Sequence, residues 1–199
     1  MLFLIREVLR GDFMTLGRPV AFFSGIVALI FWIIVSCITK KDRSKKILIS
    51  LFIVYMTVVV SITIFPLIID PELMPINDRS IILVPFSTIT NLLENATLWT
   101  IVLQIIGNII MTIPYGIFIP FMVKRKRWYN YLVYTLIFPL AIELTQLIIC
   151  ISTNSFYRTV DIDDVILNSI GIIIGYGIYK ILPKFVKEYF ENNNTEKNS

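Results

Sequence analysis

The stretch Arg158-Thr-Val-Asp161-Ile-Asp163-Asp164-Val-Ile-Leu-Asn168 runs without a break into an apolar segment, Ser169 to Leu182. At about 1.5 Å per residue, the apolar part is long enough to enter a bilayer as a helix. An arginine, three aspartates and an asparagine therefore stand at the mouth of a membrane-spanning segment. Ionisable groups at that depth are costly and need a partner or a purpose. The preceding apolar segment carries a second costly group, Glu143, with Gln146 one turn later. The pattern predicts an all-α, polytopic membrane protein in which polar groups from different spans meet.

The composition agrees. Of 199 residues, 56% are hydrophobic and 16% charged, whereas a soluble domain carries about 25% charged residues. The mean hydropathy is +0.79. Five apolar stretches, at 20–39, 47–69, 101–123, 131–150 and 165–182, each match the roughly 20 helical residues that a bilayer core requires. The expected organisation is a transmembrane domain over 20–182, preceded by an interfacial segment at 1–19 and followed by a polar tail at 183–199. In the leader, Leu2, Ile5, Leu9 and Phe13 recur near helical spacing, with Arg6 and Arg10 on another face. That reads as a short amphipathic helix lying in the interface; an irregular leader is the alternative.

The net charge of +4 does not suggest nucleic acid, because the basic residues gather at span ends: Lys40, Lys41, Arg43, Lys45 and Lys46 in one loop, Lys124 to Arg127 in another. Two spans separate these loops, so they lie on one side. Lys and Arg mark cytoplasmic span ends, which places the amino terminus outside and the carboxyl terminus inside a plasma membrane. Membrane lipids are the expected surroundings. There are no histidines, so catalysis by Ser-His or Cys-His pairs and imidazole metal ligands are excluded. Cys37 and Cys150 fall near opposite faces, too far apart for a disulfide.

In this topology three consecutive spans place polar groups in the outer third of the membrane. Glu143 lies seven residues before Cys150, about 10 Å below the outer end of its span. Asn108 sits at a similar depth. Asp164 and Asn168 share a face at i,i+4, and Gln146 stacks above Glu143. Arg158 hangs from the short loop between two of these spans. One shared cavity, open to the outside and including Asp161 and Asp163, satisfies all of them, with Arg158 partnering Glu143 or an aspartate. The blander reading is that Asp161 or Asp163 only caps the fifth helix, while Asn108 and Gln146 only join helices. The exterior loop at 70–100 contains Ile81-Ile-Leu-Val-Pro85-Phe86, which predicts a re-entrant or lid-like segment packed on the helix ends. Pro114, Gly116 and Pro120 predict a kinked third span, and Gly171 with Gly175 predict close helix approach.

In combination these residues resemble the VanZ family: Asn108, Pro114-x-Gly116, Pro120, Glu143-x-x-Gln146, then Arg158, Asp161-x-Asp163-Asp164, Asn168, Gly171 and Gly175. The resemblance runs from Ile81 to about Lys180. The family comprises small bacterial membrane proteins named for an accessory determinant of resistance to teicoplanin-type glycopeptides. This chain has Ile82 where the family often has Asn. The resemblance implies a resistance- or envelope-associated membrane protein with no cofactor, and the richness in Ile, Asn and Lys suits a Gram-positive source. The expected ligand is amphiphilic: a lipoglycopeptide antibiotic or a lipid-linked cell-wall precursor. Two other readings stand beside it. One is a membrane-embedded enzyme acting on such a precursor, with a divalent cation held by Asp163, Asp164 and Glu143 through oxygen ligands. The other is a scaffold. No activated nucleophile is evident, which tilts the balance away from an enzyme. Five spans without a repeat could serve a transporter only as a homo-oligomer.

Overall fold

The computed structural model describes residues 14–38, 43–69, 81–123 and 128–191. The amphipathic helix expected within residues 1–13, and the basic clusters at Lys40, Lys41 and Lys124 to Arg127, lie outside them. Among the described residues, five helices are long and apolar enough to cross a membrane: α1 (Arg18–Ile38), α2 (Arg43–Thr63), α4 (Leu98–Met122), α5 (Trp128–Thr153) and α6 (Ile162–Ile181). A short helix, α3 (Ser87–Asn95), precedes α4. The expected polar tail opens instead with a helix, α7 (Lys184–Glu191), whose Phe190 packs edge-on against Phe121 of α4 at 5.5 Å.

Two strand pairs tie the connections together at one end of the bundle. β1 (Met14–Leu16) pairs antiparallel with β2 (Leu67–Ile69), joining the entry of α1 to the exit of α2. β3 (Ile81–Ile82) pairs in parallel with β4 (Val160–Asp161), bringing the approach to α3 onto the start of α6.

The centre of the bundle is the crossing of α4 and α6. Glycine makes it possible. A Cβ on Gly171 would collide with the Ile109 carbonyl, one on Gly175 with the Ile113 carbonyl, and one on Gly116 with the Ile172 carbonyl. The two backbones touch there, and the Thr112 hydroxyl donates across the crossing to the Asn168 carbonyl at 2.8 Å. Val59, Ile119, Phe138 and Ile172 form a small buried apolar cluster, with Tyr115 stacked on Phe138 at a centroid distance of 3.8 Å. Most other apolar side chains face outward, as lipid-facing helices require.

α4 continues through Pro114 and Pro120. Pro114 removes the donor that would reach the Ile110 carbonyl, and the Tyr55 hydroxyl donates to the neighbouring Met111 carbonyl at 3.0 Å. The marked irregularity lies upstream, where Val102–Ile106 forms a π-helical turn. The sequence reading missed this turn.

Candidate functional site

At the end of the bundle where α2 and α5 finish and α4 and α6 begin, the polar residues interlock. Asp161 is the N-cap of α6; its carboxylate accepts from the Asp163 amide at 2.9 Å. Asp163 does not cap its own helix. Its carboxylate accepts from the amides of Phe86, Thr88 (3.0 Å) and Ile89 (3.1 Å), so it caps α3 from across the site. Phe86, the residue entering α3, has φ of 66° and offers no side-chain cap. A left-handed backbone at a bulky residue is unfavourable by about 1–2 kcal/mol, and three charge-assisted hydrogen bonds hold it there. Glu143 accepts from the Asp161 amide at 3.0 Å, so a carboxylate within α5 anchors the strand that leads into α6.

Arg158 was expected to pair with Glu143 or an aspartate. Its Nη2 donates to the carbonyls of Ile62 (2.7 Å) and Phe65 (3.4 Å) at the exit of α2, where carbonyl dipoles attract a cation. Gln146 donates to the Thr63 carbonyl at 2.8 Å, so the same helix end is held twice. Asn108 donates to Asp164 at 2.6 Å, linking α4 to α6.

These groups surround a cavity of about 380 Å³, within the roughly 300–1,000 Å³ common for ligand pockets. Asn108, Gln146, Arg158, Asp161, Asp163 and Asp164 line it. Glu143 and Asn168 do not; both are buried behind its wall. The Asn168 side-chain oxygen has no hydrogen-bond partner among the described residues. Sequence reasoning missed three polar lining residues, Gln104, Thr88 and Thr159. Gln104 could have been found, since it lies four residues before Asn108 and shares its helical face. Thr88 could not, because only the docking of α3 brings it in. The apolar share of the lining comes from Ile62, Ile82, Ile89, Leu92, Leu103 and Leu167.

The lid-like expectation for the exterior loop takes a specific form. Thr88, Ile89 and Leu92 of α3 face the cavity, while Leu83, Val84 and Phe86 point outward, exposed. The β3–β4 pair and Asp163 attach the segment to the bundle end, and Ile89 and Leu92 add apolar lining. Near this end the Tyr157 hydroxyl is buried without a partner among the described residues, and burial pushes its pKa up to about 12. It stays a neutral phenol at ordinary pH and is no candidate base.

Among the described residues, no group of three or more Cys, Asp or Glu side chains is arranged to hold a metal ion. Asp163 is turned to the α3 amides and Glu143 to the Asp161 amide. The lining offers a guanidinium, carboxylates and amides together with apolar side chains, which suits a ligand with both polar and apolar parts.

No curated protein and no solved structure matches this chain. The family model described as VanZ/LLP1 matches residues 52–183. That range opens within α2, earlier than the resemblance from Ile81, and takes in all the cavity-lining residues. It covers more than half of the chain, which belongs to the VanZ/LLP1 family.

Proposed function

We propose that this protein reduces susceptibility to teicoplanin-type glycopeptide and lipoglycopeptide antibiotics by binding an amphiphilic ligand in an outward-facing polar cavity. The observation that carries the reading is the convergence of Arg158, Asp161, Asp164, Asn108 and Gln146 on one cavity that also has apolar walls. Family membership supports the resistance context. The outward direction is supported by charge. Arg43, Lys45 and Lys46 open α2, and Lys180, Lys184 and Lys187 follow in the last turn of α6 and in α7. All belong to the end opposite the cavity, and basic residues mark the cytoplasmic side. The ligand is a lipoglycopeptide or a lipid-linked cell-wall precursor, and sequestering either one limits the contact between drug and target.

Asp164→Asn tests this reading. Asn keeps the shape and an oxygen that can accept from Asn108, so the α4–α6 link survives while the charge facing the cavity is removed. In a susceptible Gram-positive host that depends on this protein, the variant should reach normal membrane levels and lose protection against teicoplanin. Full protection by Asp164→Asn and by Arg158→Gln would remove the cavity from the mechanism.

A further inference from the structure

A second recess shares a wall with the polar cavity. It is an apolar groove of about 430 Å³ between α2 and α4. Ile62 and Leu103 line both spaces, so the apolar groove directly adjoins the polar cavity. From Ile62 it follows α2 for two turns to Tyr55, about 10 Å, where the Tyr55 hydroxyl bridges to the Met111 carbonyl and closes the far end. The rim residues Val58, Val102, Ile106 and Ile110 are exposed on the faces that two spanning helices turn outward.

The π-helical turn accounts for the shared wall. Gln104 faces the polar cavity, Val102 and Ile106 face the groove, and Leu103 faces both. π turns within α-helices occur mostly at functional sites. Gly107 follows directly and lines the groove. Unlike Gly116, Gly171 and Gly175, it serves no helix crossing: an added Cβ would meet only the Val102 carbonyl, at 3.9 Å. Its φ of −58° and ψ of −46° are ordinary helical values, so no backbone conformation demands glycine. A glycine inside a helix is unfavourable by about 1 kcal/mol relative to alanine. What it provides here is depth in the groove.

We infer that this groove holds the hydrocarbon chain of a bilayer lipid whose polar head occupies the neighbouring cavity, and that the lipid enters sideways from the membrane. The occupant is an amphiphile, because the two adjoining spaces are polar and apolar in turn. Its source is the bilayer, because the groove opens between spans. This inference rests on the proposed ligand cavity and assigns the apolar half of its ligand.

The test uses the full chain in phosphatidylglycerol vesicles that contain phosphatidylglycerol carrying a diazirine on one acyl chain. After photolysis, labelled positions are mapped by mass spectrometry. Wild-type protein should be labelled preferentially at Val58, Ile106 and Ile110. Gly107→Leu places side-chain atoms in the groove from a position where the Cβ itself meets no other helix, and should reduce that labelling on the order of tenfold. Gly177→Leu is the control: Gly177 has open space around it on α6, away from the groove, and the substitution should leave the pattern unchanged. Gly107→Leu should also abolish protection in cells while Gly177→Leu retains it. A thermal unfolding midpoint for Gly107→Leu at or above the wild-type value separates occlusion from misfolding, and Gly107→Ala serves as the milder variant if it falls below. Labelling spread evenly over all lipid-facing helices and insensitive to Gly107→Leu would overturn the inference. In that case loss of protection by Asp164→Asn would still uphold the cavity. Conversely, groove labelling sensitive to Gly107→Leu, with full protection retained by Asp164→Asn and by Arg158→Gln, would keep the groove and remove the polar cavity from the resistance mechanism.

Discussion

The single residue that most changes the reading of the site is Asp163. In sequence it resembles the neighbouring Asp161, a first-turn carboxylate at the start of a helix. In the fold it turns away from its own helix and receives three amides from the entry of α3. Asn caps a helix of its own almost as well as Asp. At Asp163, however, Asn would offer one acceptor oxygen and present an NH2 group to backbone donors. Buried donors left unsatisfied are unfavourable by about 1–3 kcal/mol each. Asp163→Asn should therefore release α3 from the bundle end. The amides of Thr88 and Ile89 should exchange with deuterium much faster, while those in the α4–α6 crossing keep their protection. Unchanged exchange at both amides would show that α3 is held by other contacts. Glu143 shows the same limit at the residue scale. Its cost in an apolar span was visible in the sequence, but its partner, the Asp161 amide, depends on how a loop folds back.

Among the elements, the α4–α6 pair carries the site. Asn108 and Asp164 meet at 2.6 Å because the two helices cross backbone to backbone at Gly171 and Gly175, about two and three turns beyond Asp164. Gly171 and Gly175 could be read from the sequence as a step for close approach. Their counterparts on α4, the Ile109 and Ile113 carbonyls beside Gly116, could not, since carbonyls leave no trace in residue type. Gly175→Ala must push a carbonyl aside and should destabilise the protein by about 1–3 kcal/mol. Gly177→Ala, in open space on the same helix, should stabilise it by up to about 1 kcal/mol through helix propensity. Thermal unfolding of the two variants in one detergent checks the contrast. A common shift in one direction would mean that the crossing is looser than described.

For the whole molecule, the decisive question is which way the cavity faces. With Cys37 and Cys150 replaced, a cysteine at Asn154 or Thr97, both exposed near the cavity, should react with a membrane-impermeant maleimide in intact cells. A cysteine at Arg43 should react only after permeabilisation. Ser155, the next residue after Asn154, is fully buried and would give no signal from either side. Labelling of Arg43→Cys in intact cells would turn the cavity to the cytoplasm. The number of long apolar helices, their approximate limits and the set of polar residues needing partners were determined by the sequence itself. Those properties depend on the local chemistry of the chain: the length of an apolar run, the cost of an ionisable group in lipid, the clustering of Lys and Arg. The tertiary structure alone decided which of the polar residues line a cavity and which stand behind it. It placed Arg158 on carbonyls, set Asp163 as the cap of a distant helix and opened an apolar groove beside the polar space. Hydrogen bonds to backbone atoms made these choices, and every residue type presents the same backbone carbonyl and, proline apart, the same amide.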